Sequence, residues 1–190
     1  MKIKVELNQK SIKEAIKQLE AQKKVLTDVA IPEYLKRSAE WIKNRANEIL
    51  SLADIGDDVK SKISSRWDIK RISTNHIVLF NSYYKAVYVE FGVGIIGQTA
   101  KHPNADMTGY EYNVESEHKF GQGHWRFHVS DESRIDVPDE AIIYKDVDED
   151  GLSIVTQGTE GVWFLFNAVE DFKIIAQKKI WEEIKKKYWS

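Results

Sequence analysis

Residues 32–52, PEYLKRSAEWIKNRANEILSL, place Leu35, Ala39, Ile42, Ala46, Ile49 and Leu50 at steps of 4, 3, 4, 3 and 1. Such steps return to one side of an α-helix, whose period is 3.6 residues. Pro32 suits the first turn, where a missing N–H costs nothing, and Ile55-Gly56-Asp57-Asp58 supplies the stop. Just before this stretch, Ile12, Ala15, Ile16 and Leu19, with Val25 and Leu26 beyond, repeat the pattern behind Ser11 and Glu14, the spacing of a capping box. At the far end, from Val162 to about Tyr188, the residues Phe164, Leu165, Ala168, Val169, Phe172, Ile175, Ala176, Ile180 and Ile184 recur at helical spacing. Lys185, Lys186 and Lys187 in the last turn complement the negative end of that helix.

Between these helices the pattern shifts to a period of two. Trp67–Ile72 and His76–Phe80 flank Ser73-Thr74-Asn75 as a hairpin, and Ile3, Val5 and Leu7 alternate as a short leading strand. Asn81–Glu90 reads as a short helix with Tyr84, Val87 and Tyr88 on one face. From Gly92 to Gly123 no period is sustained, which predicts a long exposed loop. Trp125–Val129 alternates again, and Ala141–Tyr144 with Leu152–Val155 flank the turn Asp148–Gly151. The expected fold is α+β, with two N-terminal helices and a long C-terminal helix packed on one face of a mostly antiparallel sheet of four or five strands, plus a long irregular loop. It is expected as a single domain, 1–190, with loop insertions near 92–124 and 130–150.

Composition narrows the function classes. Lys and Arg number 28 against 30 Asp and Glu, a net charge of -2, which weighs against a protein that grips many phosphates. With no cysteine there is no disulfide scaffold, thiolate metal site or Cys nucleophile. Ten Gly and three Pro in 190 residues exclude a low-complexity chain. The first ten residues turn polar quickly and no run approaches 18 apolar residues, so the chain is expected on the cytoplasmic side with no membrane partner.

Catalytic motifs are weak. Asp146-Val147-Asp148-Glu149-Asp150-Gly151 opens like a calcium loop, but the twelfth position is Gln157 instead of a bidentate Glu and strand-like sequence flanks it, so a hairpin turn is expected. Of His118, His124 and His128, the last two would fall on one face of a strand with Asp131 and Glu132 near, but the spacing is loose and no HExxH pair occurs, so they read as solvated loop histidines; no metal and no cofactor are expected. The competing reading is a metal-binding enzyme or module using these histidines and the acids from Asp146 to Asp150. No Gly-x-Ser-x-Gly elbow occurs, and Gly92-Val93-Gly94 and Gly121-Gln122-Gly123 are neither a Walker loop nor a dinucleotide fingerprint. Glu90 is the best single acid–base candidate because it follows an apolar run; its plainer reading is a half-buried acid bonded to backbone N–H groups. The lysines at 178–179 and 185–187, interrupted by Glu182 and Glu183, read as a solvated helix end.

One ordered set is more specific. Asn81-Ser82-Tyr83-Tyr84-Lys85-Ala86-Val87-Tyr88-Val89-Glu90-Phe91-Gly92-Val93-Gly94 is followed by Trp125-Arg126-Phe127, then Thr156-Gln157-Gly158, then Trp163-Phe164-Leu165-Phe166-Asn167-Ala168. This order resembles the head–tail joining proteins of long-tailed phages, the neck or tail-completion (minor tail) family, over roughly residues 30–190. Val93 stands where that family has Thr, Trp163-Phe164 replaces its Pro-Phe, and the stretches 95–120 and 130–150 are longer than its pattern. The resemblance implies a non-enzymatic virion protein, assembled in the bacterial host cytoplasm. It would form a ring, six-fold in that family, between the head connector or closure protein and the tail terminator or tail tube protein, with DNA passing through unread. It makes Tyr84, Glu90, Phe91, Gly92, Gly94, Trp125, Phe127, Thr156, Gly158 and Phe164 a structural motif. Under it Phe91 packs, Gly92 redirects the chain and Glu90 ties the turn down. A ring needs two different contact patches per copy. The aromatics Tyr110, Tyr112 and Phe120 of the long loop, and Trp181 and Trp189 of the last helix, are the expected interface residues.

Overall fold

The computed structural model describes residues 9–112, 117–118, 121–122, 125–129, 142–148 and 151–189, with side chains described for 9–112 and 156–189. The leading strand expected at Ile3–Leu7, and Phe120, His124, Asp131 and Glu132, lie outside the described residues. The chain is α+β and mostly helical. Two compact units can be described: one from the residues up to Arg45, Asp68–Phe80 and Ala168 onward, the other from Ala46–Trp67 and Asn81–Asn167.

The first unit is a helical one. Helix α1, Gln9–Val25, runs through one π-turn, Leu26–Ala30, into α2, Ile31–Leu52. Ser11 lies inside α1 instead of capping it. The two expected helices are thus joined end to end, with the change of register where Pro32 demands it. Proline offers no N–H to the carbonyl four residues back and its ring crowds that carbonyl. The Ile31 N–H bonds Leu26 O, and the wider turn absorbs the mismatch. At the other end, α7, Phe164–Asp171, passes through a second π-turn, Phe172–Ala176, into α8, Gln177–Trp189. Here the buried stripe is Phe172, Ala176, Ile180 and Ile184, steps of four that would drift around a pure α-helix. The π-turn holds the first two in line. Ile175, expected on the buried face, is exposed for the same reason.

Ala30, Phe172, Ala176, Ile180 and Ile184 form the core of this unit, flanked by Leu26, Tyr34, Trp41, Ile42, Trp181, Tyr188 and Trp189. Trp181 meets Tyr34 edge-on at 5.6 Å, and Trp41 meets Phe172 at 5.8 Å. Polar ties join α2 to the C-terminal helices: Arg45 Nε to Asp171 at 2.7 Å, Arg37 to Glu183, and Glu33 to both Lys187 and Tyr188. The hairpin of β1, Trp67–Ser73, and β2, His76–Asn81, turns at Thr74-Asn75 as its sequence predicts.

The second unit holds a helix that the pattern did not announce, α3, Asp57–Ser65. It starts at Gly56 with Asp57 and Asp58 in its first turn and buries Val59 and Ile63. Next come α4, Ala86–Phe91; β3, Gly92–Val93; α5, Gly94–Thr99; α6, Ala105–Thr108; β4, Glu117–His118; β5, Gly121–Gln122; β6, Trp125–Val129; β7, Ile142–Asp148; β8, Gly151–Thr156; and β9, Gly158–Glu160. The stretch expected as a long exposed loop therefore carries two short helices over 94–108, with Gly97, His102 and Ala105 buried.

The strands described do not make one sheet. Among the described residues they pair as β1-β2, β3-β9, β4-β5 and β6-β8-β7. Positive-φ glycines at 92, 94 and 158 turn the chain out of the extended region after two or three residues, so no ladder lengthens there. In the three-stranded sheet β8 is central, with Trp125 opposite Thr156 on one side and Asp148 opposite Gly151 on the other. Asp146 and Asp148 are thus strand residues of the expected hairpin.

Candidate functional site

The second unit is organised around the end of α4. Its buried positions are Ala86 and Glu90, one turn apart, whereas Tyr84, Val87 and Tyr88, read as sharing one face, are exposed; Tyr84 is 68% exposed. The helix turns inward with an acid because the acid has work there. Glu90, 7% exposed, receives the Leu165 N–H on Oε2 at 2.8 Å and the Phe166 N–H on Oε1 at 2.8 Å. These are first-turn amides of α7, which have no partner within their own helix. Local sequence offers no cap: the residue before α7 is Trp163, held at φ 55, a left-handed conformation costly for a bulky side chain. A carboxylate 75 residues earlier in the chain does the capping, and its charge suits the positive helix end.

His102 completes the arrangement. It is 2% exposed, and its Nδ1 accepts the Asn104 N–H at 3.0 Å. That assigns the ring proton to Nε2, which sits 3.2 Å from Glu90 Oε1 and donates to it. The His102 N–H in turn donates to the Tyr112 hydroxyl at 2.8 Å. Phe91 lies against the His102 ring at 4.3 Å and stacks on Tyr110 at 4.5 Å; the Tyr110 hydroxyl donates to Gly92 O at 2.6 Å. Burial pushes the Tyr110 phenol above its ordinary pKa.

Strands β3 and β9 bring the two glycine motifs together. Gly92 pairs with Glu160, Val93 with Thr159, and Gly94 with Gly158. At Gly158, φ 101, a Cβ would lie 1.9 Å from Val93 O; at Gly92, φ 80, it would lie 2.6 Å from Thr159 O. Only glycine fits either place. Thr156, fully buried, bonds the Gly158 N–H through its hydroxyl at 3.2 Å and fixes that turn. The Val162 and Trp163 N–H groups then return to Val89 O and Glu90 O, at 2.7 and 3.2 Å. Phe164 starts α7 fully buried, edge-on to Trp67 at 6.1 Å.

The structure thus gathers Glu90, Phe91, Gly92, Gly94, Thr156, Gly158 and Phe164 into one knot. Tyr110 and Tyr112, expected at an interface, belong to the same knot, and Tyr112 is buried. Tyr84 lies outside it, against Tyr83 at 5.4 Å. Trp125 and Phe127 are β6 residues, placed by their backbone alone, as are His118 in β4 and His128 in β6. Trp181 and Trp189 are half-buried in the helical unit's own aromatic cluster. Sequence reasoning missed His102, which belongs to no periodic segment and sits with Pro103 in the stretch read as loop; Trp163, quoted in the ordered set and read inside the last helix, instead stands just before α7 in a left-handed conformation. Chemically the knot is closed. Three donors converge on the Glu90 carboxylate, and no group of His, Asp or Glu that could hold a metal occurs among the described residues. No helix is long and apolar enough to cross a membrane among those residues. No family model, curated protein or solved structure matches the chain.

Proposed function

We propose that this chain is a structural, non-catalytic component of the neck or tail-completion assembly of a long-tailed phage. In this reading it forms a six-fold ring between the head connector or closure protein and the tail terminator or tail tube, through which DNA passes without being read. The observation that carries the proposal is the convergence of the Glu90-Phe91-Gly92-Val93-Gly94 and Thr156-Gln157-Gly158 motifs on the start of α7. Motif residues that serve a reaction present free polar atoms to a pocket. Here the best acid–base candidate holds a helix, and the glycines are demanded by backbone crossing. A motif of that kind specifies a shape, which is what a ring subunit must hold constant.

The near balance of charge is compatible with the channel role, since a passage must not hold phosphates tightly. The test is reconstitution: purified chain, with and without head connectors and tail tubes of the phage that encodes it, viewed by negative-stain microscopy. Rings seated at the end of the tube are expected. Tubes and connectors that stay bare and unjoined at saturating protein would sink the proposal.

A further inference from the structure

A groove of about 330 Å³ runs between α2 and the C-terminal helices of the helical unit. Arg37, Trp41 and Asn44 line its α2 side, and Ala176, Ile180 and Glu183 the other. Both rows are spaced i, i+4 and i+7, so each follows one side of its helix for about 10 Å. The floor is apolar: Trp41 is only half-buried in it, and Ala176 has no side chain beyond Cβ to fill it. The second π-turn leaves Ile175 at the edge, 59% exposed. The Arg37–Glu183 pair crosses from one helix to the other. With Glu40 and Lys179, two acids and two bases line the groove and leave its rim close to neutral.

Helix α1 carries a ridge of the same spacing. Ile12, Ile16 and Leu19 stand at i, i+4 and i+7 and are exposed; no other described helix leaves three aliphatic side chains exposed at that spacing. The ridge has no access to the groove of its own chain. Helix α1 runs through one π-turn into α2, and about 27 Å of continuous helix, at about 1.5 Å per residue, separates Leu19 from Arg37.

We propose that α1 is an arm by which one copy of this chain holds the next: the Ile12–Ile16–Leu19 ridge seats in the groove between α2 and α8 of a second copy. The occupant is a second copy because ridge and groove agree in spacing, length and apolar character, and one chain cannot bring them together by itself. A ridge of one helix set between rows of two others is the ordinary way in which helices pack. Because the rim is close to neutral, apolar burial carries the contact. Ridge and groove are different surfaces, so the contact is head-to-tail and propagates until it closes. The contact stands on the helical unit alone; its closure into six rests on the ring reading.

The absence of cysteine makes the test free of background. Ile16 is the middle of the ridge and Lys179 lies midway along the groove, so the two come close whichever way α1 runs. The full chain carrying both Ile16→Cys and Lys179→Cys, and each single variant, are checked for native circular dichroism and oxidised. A ladder of disulfide-linked species from the double variant, and from neither single variant, is the expected result, since bridging needs Cα atoms within about 7 Å. No bridged species at about 1 mM chain, the weak end of specific association, overturns the contact. Ile16→Cys bridging equally well alone overturns it too, because α1 would then pack on α1. Sedimentation of the uncrosslinked protein adds a second readout. Ile16→Asp and Ile175→Asp should each weaken self-association about ten- to a hundred-fold, whereas Ala21→Asp, on the opposite side of α1, leaves it unchanged. Raising salt from about 0.1 to 1 M should change it less than about two-fold. Association indifferent to both ridge and groove variants, or falling steeply with salt, overturns the proposal. A ladder that stops at the dimer would keep the contact and reject the ring. Rings on tail tubes without the bridge would reject this contact and keep the ring reading, and the bridge without rings on tubes would keep the contact and reject the phage role.

Discussion

The helical unit and the knot of the second unit are held by different kinds of force. Around Phe172, Ala176, Ile180 and Ile184 the core is apolar and its energy is spread over many dispersion contacts, with ion pairs such as Arg37–Glu183 and Glu33–Lys187 on its exposed edge. At Glu90 the energy is concentrated: a few polar atoms and glycines each have one function and no substitute. The first kind tolerates apolar exchange of similar volume, and the second does not tolerate even isosteric exchange.

The largest expected effect is in the knot. Gly158→Ala would drive a Cβ into the Val93 carbonyl at a φ of 101, where L side chains rarely go. A loss of more than about 4 kcal/mol is expected, enough to unfold the second unit, read by thermal denaturation and by loss of amide protection over 89–112 and 156–166. Unchanged stability would mean that β3 and β9 do not cross as described. Next comes the helical core: Phe172→Ala should cost about 3–4 kcal/mol, and Phe172→Leu less than about 1.5 kcal/mol, in urea midpoints. Glu90 gives the sharper contrast. Glu90→Ala removes the cap and strands buried donors, for about 2–3 kcal/mol, and Glu90→Gln should still cost about 1–2 kcal/mol. An amide offers one oxygen, so its NH2 must face a Leu165, Phe166 or His102 donor. A neutral Glu90→Gln variant would mean that the carboxylate does not cap α7.

These differences explain what was legible in the sequence. Periodicity reports on spread-out apolar packing, so the N-terminal helices and the last helix could be read before any coordinates. Their joining through a π-turn could not, because Pro32 looks the same at a helix start and at a register change. In the second unit period fails, and only the glycine-bearing motifs and Glu90 marked the site. The plain reading of Glu90, an acid bonded to backbone N–H groups, named its chemistry but not the helix it holds. Which helix depends on pairing Gly92 with Glu160, a contact between residues far apart in the chain that no local pattern encodes. The burial of Tyr112 is hidden for the same reason: an aromatic in an aperiodic stretch reads as exposed until its hydroxyl is seen to meet His102.

The smallest expected effect returns to the helical unit's edge. Hydrogen bonds from Lys187 and then Tyr188 hold the Glu33 carboxyl below its ordinary pKa. A carboxylate with a depressed folded-state pKa contributes stability that is fully present above its unfolded value and is lost as pH falls through the folded value. Wild type should therefore exceed Glu33→Gln by a small margin at neutral pH, and the margin should close as the pH falls through the acid range. Because the pair is exposed, salt at about 1 M should shrink the same margin at neutral pH. Urea midpoints of the two proteins from pH 7 down to 3, at low and high salt, check both slopes. A margin that widened toward acid would mean that Glu33 is protonated more readily in the folded chain than in the unfolded one, the reverse of what its two donors dictate.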